Sequence, residues 1–516
     1  MSVTPLEVRR RWSRLREEPA TLRISLLAGY TIDPLVPYLG TWLHDAGLPV
    51  RPWVGPYNQI AAQCLDDLGE TARTRPEVLL VAPSGEARDD LVELADVALE
   101  ATRRWGAFLV YVLPALPHTA PLGVGDHGDP TGVAASAVAA REAVRARLAG
   151  VSGVAVADAE HAVGTVGRRH AYHPAMERFA RIPYTETVFA EIGRQVGAIL
   201  RAFLGGVIRA VVVDLDGTGD RTAEDLGVLG VPLRTLHDNG VRLAVRGGGD
   251  PVAAWTVAGS LLGELWPAAV SDQVIDSRPL DAQLADLAAS LRVDTHHMAL
   301  VTLAPDREPV AGERVVALDG TPDLWPSRLT DSGVFDRLPI ATGSAEPGGT
   351  PRPSGRTLGE YVAGLGVELH WREPDSRTPG WLAEMLVRTK EFTLGVTPPE
   401  PGLTDGVAVA EVRDRLGRYG PSVVFRYSTV DTTCVVDVFL ISCPVLGKGV
   451  EDAAYQAILD RADQAGASTV VFPVRETGRN HLTVEFLSRA AARPAIAASG
   501  RAIEVRVEPA EPGESL

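Results

Sequence analysis

Cysteine is scarce in this chain of 516 residues: Cys64, Cys434 and Cys443 are the only three. An odd number at wide spacing excludes both a disulfide framework and a zinc ribbon, and a reducing, cytoplasmic compartment is expected. Basic charge is also short. There are 50 Lys and Arg against 66 Asp and Glu, a formal net charge of -16. Without a cationic surplus to displace the counterions of a phosphate backbone, nucleic acid is not an expected partner. No apolar run reaches the roughly 18 residues of a membrane span, and no apolar segment follows the Arg-rich stretch Met1 to Arg16, so neither a membrane nor export is expected. What is present, 45% hydrophobic and 22% charged residues, is the composition of a globular protein. The length corresponds to about three domains.

The stretch around which the chain is organised runs from Gly206 to Thr218. A β-branched run, Val211-Val212-Val213, ends in Asp214 and Asp216. One residue apart at a strand tip, before Gly217, both carboxylates project on the same side. The plain reading is a buried strand ending in a solvated Asp turn. The sharper one is a resemblance to phosphotransferases of the haloacid dehalogenase (HAD) type, in which the first carboxylate attacks phosphorus and the second protonates the leaving group.

Before this stretch, short apolar runs at Leu22 to Leu27, Val50 to Val54, Val78 to Ala82 and Phe108 to Leu113 alternate with helical patterns such as Pro34 to Ala46. That alternation predicts a mainly parallel, doubly wound α/β sheet over 20–205, with ligands at its strand C-terminal edge. Gly55 to Ile60 falls at that edge, where Asn58 and Gln59 either bind a polar ligand or cap the next helix. His161, His170 and His173 read as surface or structural residues, since no nucleophile stands beside them. The Gly55 to Ile60 stretch, with Tyr172 to Tyr184, resembles the N-terminal portion of the FkbH-like family. This implies an SGNH-hydrolase-like fold, although only Thr31 stands near that fold's usual serine.

The resemblance continues over 206–337, and there the family's chemistry is altered. The strand through Val245 leads into Arg246-Gly247-Gly248-Gly249, where the family has a hydroxyl that binds phosphoryl oxygens. Arg278-Pro279 is followed by Leu280 in place of a phosphate-clamping lysine. The strand from Met298 ends in Thr302-Leu303-Ala304-Pro305 in place of a pair of metal-binding aspartates, and Asp306 reads as a turn residue. Phosphoryl transfer is nearly all positioning and charge neutralisation, so the resemblance implies a disabled phosphatase with magnesium short of oxygen ligands. Arg246 and the Gly triplet are either a freed loop or an anion site made of guanidinium and backbone N–H groups.

A Gly- and Pro-rich stretch predicts a linker at 338–356. The third domain, 357–507, reads as α+β: helices at Thr357 to Gly364 and Pro379 to Thr389, a hairpin around Gly417 to Gly420, and strands Cys434 to Ser442 and Ser468 to Val474. The strand, the Gly447-Lys448-Gly449 turn and the following helix form an N–H nest suited to a pyrophosphate or pantetheine arm. The order is similar to an N-acetyltransferase (GNAT) fold, and Asp437 to Glu451 resembles the FkbH-like C-terminal module. Pro444 stands where the family's turn begins with arginine. Cys443 is either an acyl-thioester nucleophile or a small core residue, and His481, after Asn480, is a candidate base.

Taken over the chain, the resemblance implies an acyltransferase-like protein of bacterial polyketide biosynthesis, acting on a thioester borne by the phosphopantetheine of an acyl carrier protein. Glyceryl transfer from a phosphorylated three-carbon donor through Asp214 and Cys443 stays open. So do a non-catalytic carrier-protein adaptor and a repurposed Arg246 to Gly249 pocket that cyclises or dehydrates a tethered chain.

Overall fold

The computed structural model describes residues 4–85, 88–218, 221–304, 314–337, 358–372, 375, 378–389, 391–395, 406–414, 417–442, 445–477, 479–492 and 502–508. The expected linker and Cys443 lie outside them. By contacts the chain forms two compact units. One comprises Met1–Thr21, Pro34–Val50 and Glu186–Ser344, and the other Leu22–Asp33, Arg51–Thr185 and Ala345–Leu516. Both the first and the third of the domains expected from sequence therefore contribute to the second unit.

The first sheet holds β1 (Leu22–Ala28), β2 (Val50–Val54), β3 (Val78–Ala82), β4 (Phe108–Leu113) and β5 (Val154–Asp158) in the order β2-β1-β3-β4-β5. β1, β3, β4 and β5 pair in parallel. Every residue of β3 and β4 is buried, as strands covered on both faces require, which is why they read as unbroken apolar runs. The order reverses between β1 and β3, which is the switch point of this sheet.

In the first unit, β6 (Ala210–Asp214), β7 (Arg242–Gly247), β8 (Val270–Ile275), β9 (Met298–Thr302) and β10 (Arg314–Ala317) form an all-parallel sheet, β10-β9-β6-β7-β8. Period-two alternation sends Val211 and Val213 to one core and Ala210 and Val212 to the other. The larger core closes over fully buried Trp325. Helices Pro5–Leu15, Leu35–Asp45 and Glu186–Phe203 belong to the same unit. They pack closely because Gly40 leaves room for the Trp12 ring and Gly197 for the Trp42 ring.

The third sheet, in the second unit, runs β11 (Glu368–Arg372), β12 (Val407–Asp414), β13 (Gly417–Val430), β14 (Thr433–Ile441), β15 (Thr469–Arg475) and β16 (Ala502–Glu508) in sequence order. It is antiparallel through β14 and parallel thereafter. The hairpin expected around Gly417 to Gly420 lies earlier: Gly417 already pairs with Asp414, and Gly420 with Val412. A register shift between Arg426 and Tyr427 leaves Asp437 as the extra residue of β14. Cys434 and Val436 before it, and Phe439 and Ile441 after it, all reach the same core. Arg426 fastens this bulge by donating from Nε and Nη2 to the two Asp437 carboxylate oxygens at 2.9 and 2.8 Å.

β14 and β15 pair only from Thr433/Thr469 to Val435/Val471. Above that point the chain's own segment Glu391 to Gly395 lies between them. Ile441 N–H donates to Phe392 O (3.3 Å) and Arg475 N–H to Leu394 O (2.8 Å), and Phe392 and Leu394 are buried. Gly395 ends the segment at φ +71°, where an added Cβ would lie 2.2 Å from Arg475 O. Gly395→Ala is therefore expected to destabilise the second unit by at least ~2 kcal/mol, read as a lower urea midpoint at unchanged slope.

Candidate functional site

Parallel register builds the first candidate site. Asp214 at the tip of β6 pairs across to Arg246 on β7, and Val213 to Val301 on β9, so Asp214 lies between Arg246 and Thr302 at one sheet edge. Arg246 Nη1 donates to Asp214 Oδ1 at 2.5 Å and to Asp216 Oδ2 at 2.6 Å. Its Nε donates to Gln283 Oε1 at 2.8 Å. The Thr302 hydroxyl donates to Asp214 Oδ2 (2.9 Å), and the N–H groups of Asp216 and Gly248 donate to Asp214 Oδ1 (3.1 Å) and Asp216 Oδ1 (2.8 Å). The Asp214 and Arg246 side chains are 0% and 4% exposed, that of Asp216 39%.

Sequence reasoning had Asp214 and Asp216 as a reacting pair and Arg246 as an anion binder or part of a freed loop. The structure brings all three together. The anion held by Arg246 and the Gly248 N–H is the chain's own Asp216. Both oxygens of Asp214 already accept hydrogen bonds from within the protein. A magnesium ion does not fit. Arg246 Nη1 occupies the position between the two carboxylates, and among the described residues no group of three or more His, Cys, Asp or Glu could hold a metal ion.

Gln283 was missed. It is fully buried, and its amide donates to Asp276 O (2.8 Å) and Gly247 O (3.2 Å) while its Oε1 receives Arg246. Its one sequence signal is its place in the first turn of Leu280–Leu291, the helix opened by Arg278-Pro279. The exposed Asp276 carboxyl is held well below the usual carboxylate range by Arg278 first and Gln283 second.

The Gly447-Lys448-Gly449 turn is also occupied from within. Lys448 is buried, and its Nζ donates to Tyr419 OH (2.6 Å) and Asp414 Oδ2 (2.8 Å); Tyr419 OH donates to Asp414 as well. The Gly447 N–H donates to the Glu451 carboxylate at 2.5 Å, and burial pushes that carboxyl up despite this bond. Gly449 begins the helix Val450–Gln464 at φ +79° without a side-chain cap. Of Gly447, Lys448 and Gly449, expected to receive a pyrophosphate, the first two are thus bonded within the chain. A carboxylate already fills the first N–H, and the ammonium points into the core.

The second unit holds a cavity of about 730 Å³ at the C-terminal ends of β1 and β2. Its lining joins the tips of β1 and β2 (Tyr30, Thr31, Trp53, Tyr57) to third-domain residues, among them Trp381, Glu391, Tyr419, Ser442 and His481. The Thr31 hydroxyl is spent on Ala180 O at 2.7 Å, so it is not a nucleophile in waiting. Asn58 turns the chain at φ 56° with its N–H on Ala28 O, while Tyr57 reaches the cavity. His481 sits at the cavity with its exposed ring 3.7 Å from the Glu70 carboxylate. Cys443, the proposed nucleophile, follows Ser442 in the chain and lies outside the described residues. The other two cysteines are buried, and burial pushes the Cys64 thiol up to about 12, so it is not a thiolate at neutral pH.

Among the described residues no helix is long and apolar enough to cross a membrane. No protein-family model and no curated protein matches the chain. Among solved structures it is similar to the N-terminal part of the protein BF1531 from Bacteroides fragilis, which contains a phosphatase domain and was crystallised with Mg. The identity is 15% and the TM-score 0.54, over 66% of this chain and all of that one. A likeness to Staphylococcus aureus MnaA with UDP, at 11% identity over 59% of this chain and 81% of that one, has a TM-score of 0.17 and carries no argument. At such identities the first likeness is one of fold, and the chain has a multidomain α/β architecture with parallel sheets and a separate mixed sheet.

Proposed function

We propose that the protein acts on an acyl chain held as a thioester by an acyl carrier protein, in the cavity of the second unit, and that its HAD-type centre is catalytically silent. The observation that carries this reading is the Arg246 guanidinium bonded to Asp214 and Asp216. A centre whose two carboxylates already share a guanidinium from within offers neither a free nucleophile nor a metal seat, so the reaction belongs elsewhere. The cavity of the second unit suits it: its volume is that of a small-molecule site, with aromatic walls and a few polar groups. His481 beside Glu70 is the candidate general base there. The phosphopantetheine arm is assigned to this cavity because the gap between β14 and β15 is closed by Glu391 to Gly395. The polyketide setting, the GNAT-like and SGNH-like descriptions and the role of Cys443 rest on the sequence resemblance.

The test is incubation of the full chain with acyl-loaded carrier protein, followed by mass spectrometry of the acyl arm. A mass change is expected, reduced about a hundredfold in His481→Ala and unaltered in Asp216→Asn. Magnesium-dependent phosphate release from a phosphorylated three-carbon donor would overturn the reading in favour of glyceryl transfer. Saturable carrier-protein binding with no mass change would leave the adaptor reading, which the internally occupied Lys448 and Glu451 also favour.

A further inference from the structure

We infer that the Arg246 guanidinium is a built-in counter-cation that makes the first unit independent of divalent metal, and that removing it uncovers a latent divalent-cation site on Asp214 and Asp216. The inference extends to the carboxylates themselves, whatever the cavity of the second unit does. Two carboxylates one residue apart at a buried strand tip repel each other and require a positive charge between them. One nitrogen, Arg246 Nη1, bonds an oxygen of each, at 2.5 and 2.6 Å. The rest of the side chain is fixed by Gln283, whose own amide is anchored on the backbone oxygens of Asp276 and Gly247. The guanidinium is therefore held from behind as well as in front, and a cation cannot share its place.

Truncation at Arg246 empties that place and leaves two carboxylates, with Asp216 open to solvent on one side. Hard divalent cations take such oxygen ligands and complete their shell with water. The site is weaker than one with a third carboxylate, because β9 contributes the Thr302 hydroxyl there.

The experiment compares the full chain and Arg246→Ala in EDTA and in millimolar MgCl2 at matched ionic strength, by calorimetric melting and by titration calorimetry. The parent protein is expected to show no heat of Mg2+ binding and no change in melting temperature. Arg246→Ala is expected to melt lower in EDTA and to gain about 2–4 °C with Mg2+ in a saturable way. The added change Asp216→Asn should abolish that gain. Saturable Mg2+ binding by the parent protein overturns the inference, as does a folded Arg246→Ala that ignores Mg2+. If Arg246→Ala fails to fold in EDTA, refolding from urea with Mg2+ decides: recovery supports the inference, and continued failure overturns it.

Discussion

Arg246→Met is expected to lower the unfolding free energy of the first unit by about 3–5 kcal/mol, the usual consequence of leaving a buried charge without its partner. Asp214 is fully buried, and after the change it loses the guanidinium but keeps the Thr302 hydroxyl and the Asp216 N–H. These are hydrogen-bond donors without net charge, so the carboxylate must either stay charged in an apolar site or take up a proton. Gln283 is orphaned as well, since its Oε1 receives Arg246 Nε inside the core. The paired change Arg246→Met/Asp214→Leu should recover most of the loss, because an apolar pair of similar volume often replaces a buried ion pair at no net cost. Urea unfolding of the full chain, with the two single and the double variants, measures the coupling. A loss below about 1 kcal/mol for Arg246→Met would mean that the pair is solvated and that the silent-centre reading fails with it.

Lys448→Met carries the second large effect, about 3–5 kcal/mol on the second unit. The ammonium is buried against Asp414, whose side chain is 0% exposed, and Tyr419 bonds both. Were Lys448 a ligand for pyrophosphate, the same substitution would weaken nucleotide or coenzyme binding and leave stability nearly unchanged. The two roles therefore predict opposite readouts. Tyr419→Phe, which removes one hydrogen-bond partner and keeps the charge pair, should cost only about 1 kcal/mol. Binding of a diphosphate lost in Lys448→Met at unaltered stability would restore the sequence-based role.

The elements themselves were legible wherever the signal is local. Val78 to Ala82 and Phe108 to Leu113 could be read as strands because both faces are buried and every residue is apolar. The hairpin at Gly417 to Gly420 was misplaced because two glycines resemble a turn, while strand pairing absorbs them into β13 through bulges. The helix Pro5–Leu15 was passed over in an Arg-rich stretch. It is held by the Thr4/Glu7 capping box and by a single buried Trp12, a stripe too thin for periodicity to reveal.

Of the candidate sites, the carboxylate pair was legible and its partner was not. The Arg246-Gly247-Gly248-Gly249 stretch read as a loss because each motif was weighed alone. Across the sheet it is a replacement, with the cation and an N–H donor supplied to the same two aspartates.

By itself the sequence determined the strands with unbroken apolar runs and that Asp214 and Asp216 share a strand tip, since these follow from neighbours within a few positions. Only the tertiary structure decided what faces those groups. Arg246 meets Asp214 through parallel register, Lys448 meets Asp414 from 34 positions away, and the cavity draws on stretches from Tyr30 to His481. Charge pairing acts across space and depends on register and side-chain direction, and a linear pattern carries neither.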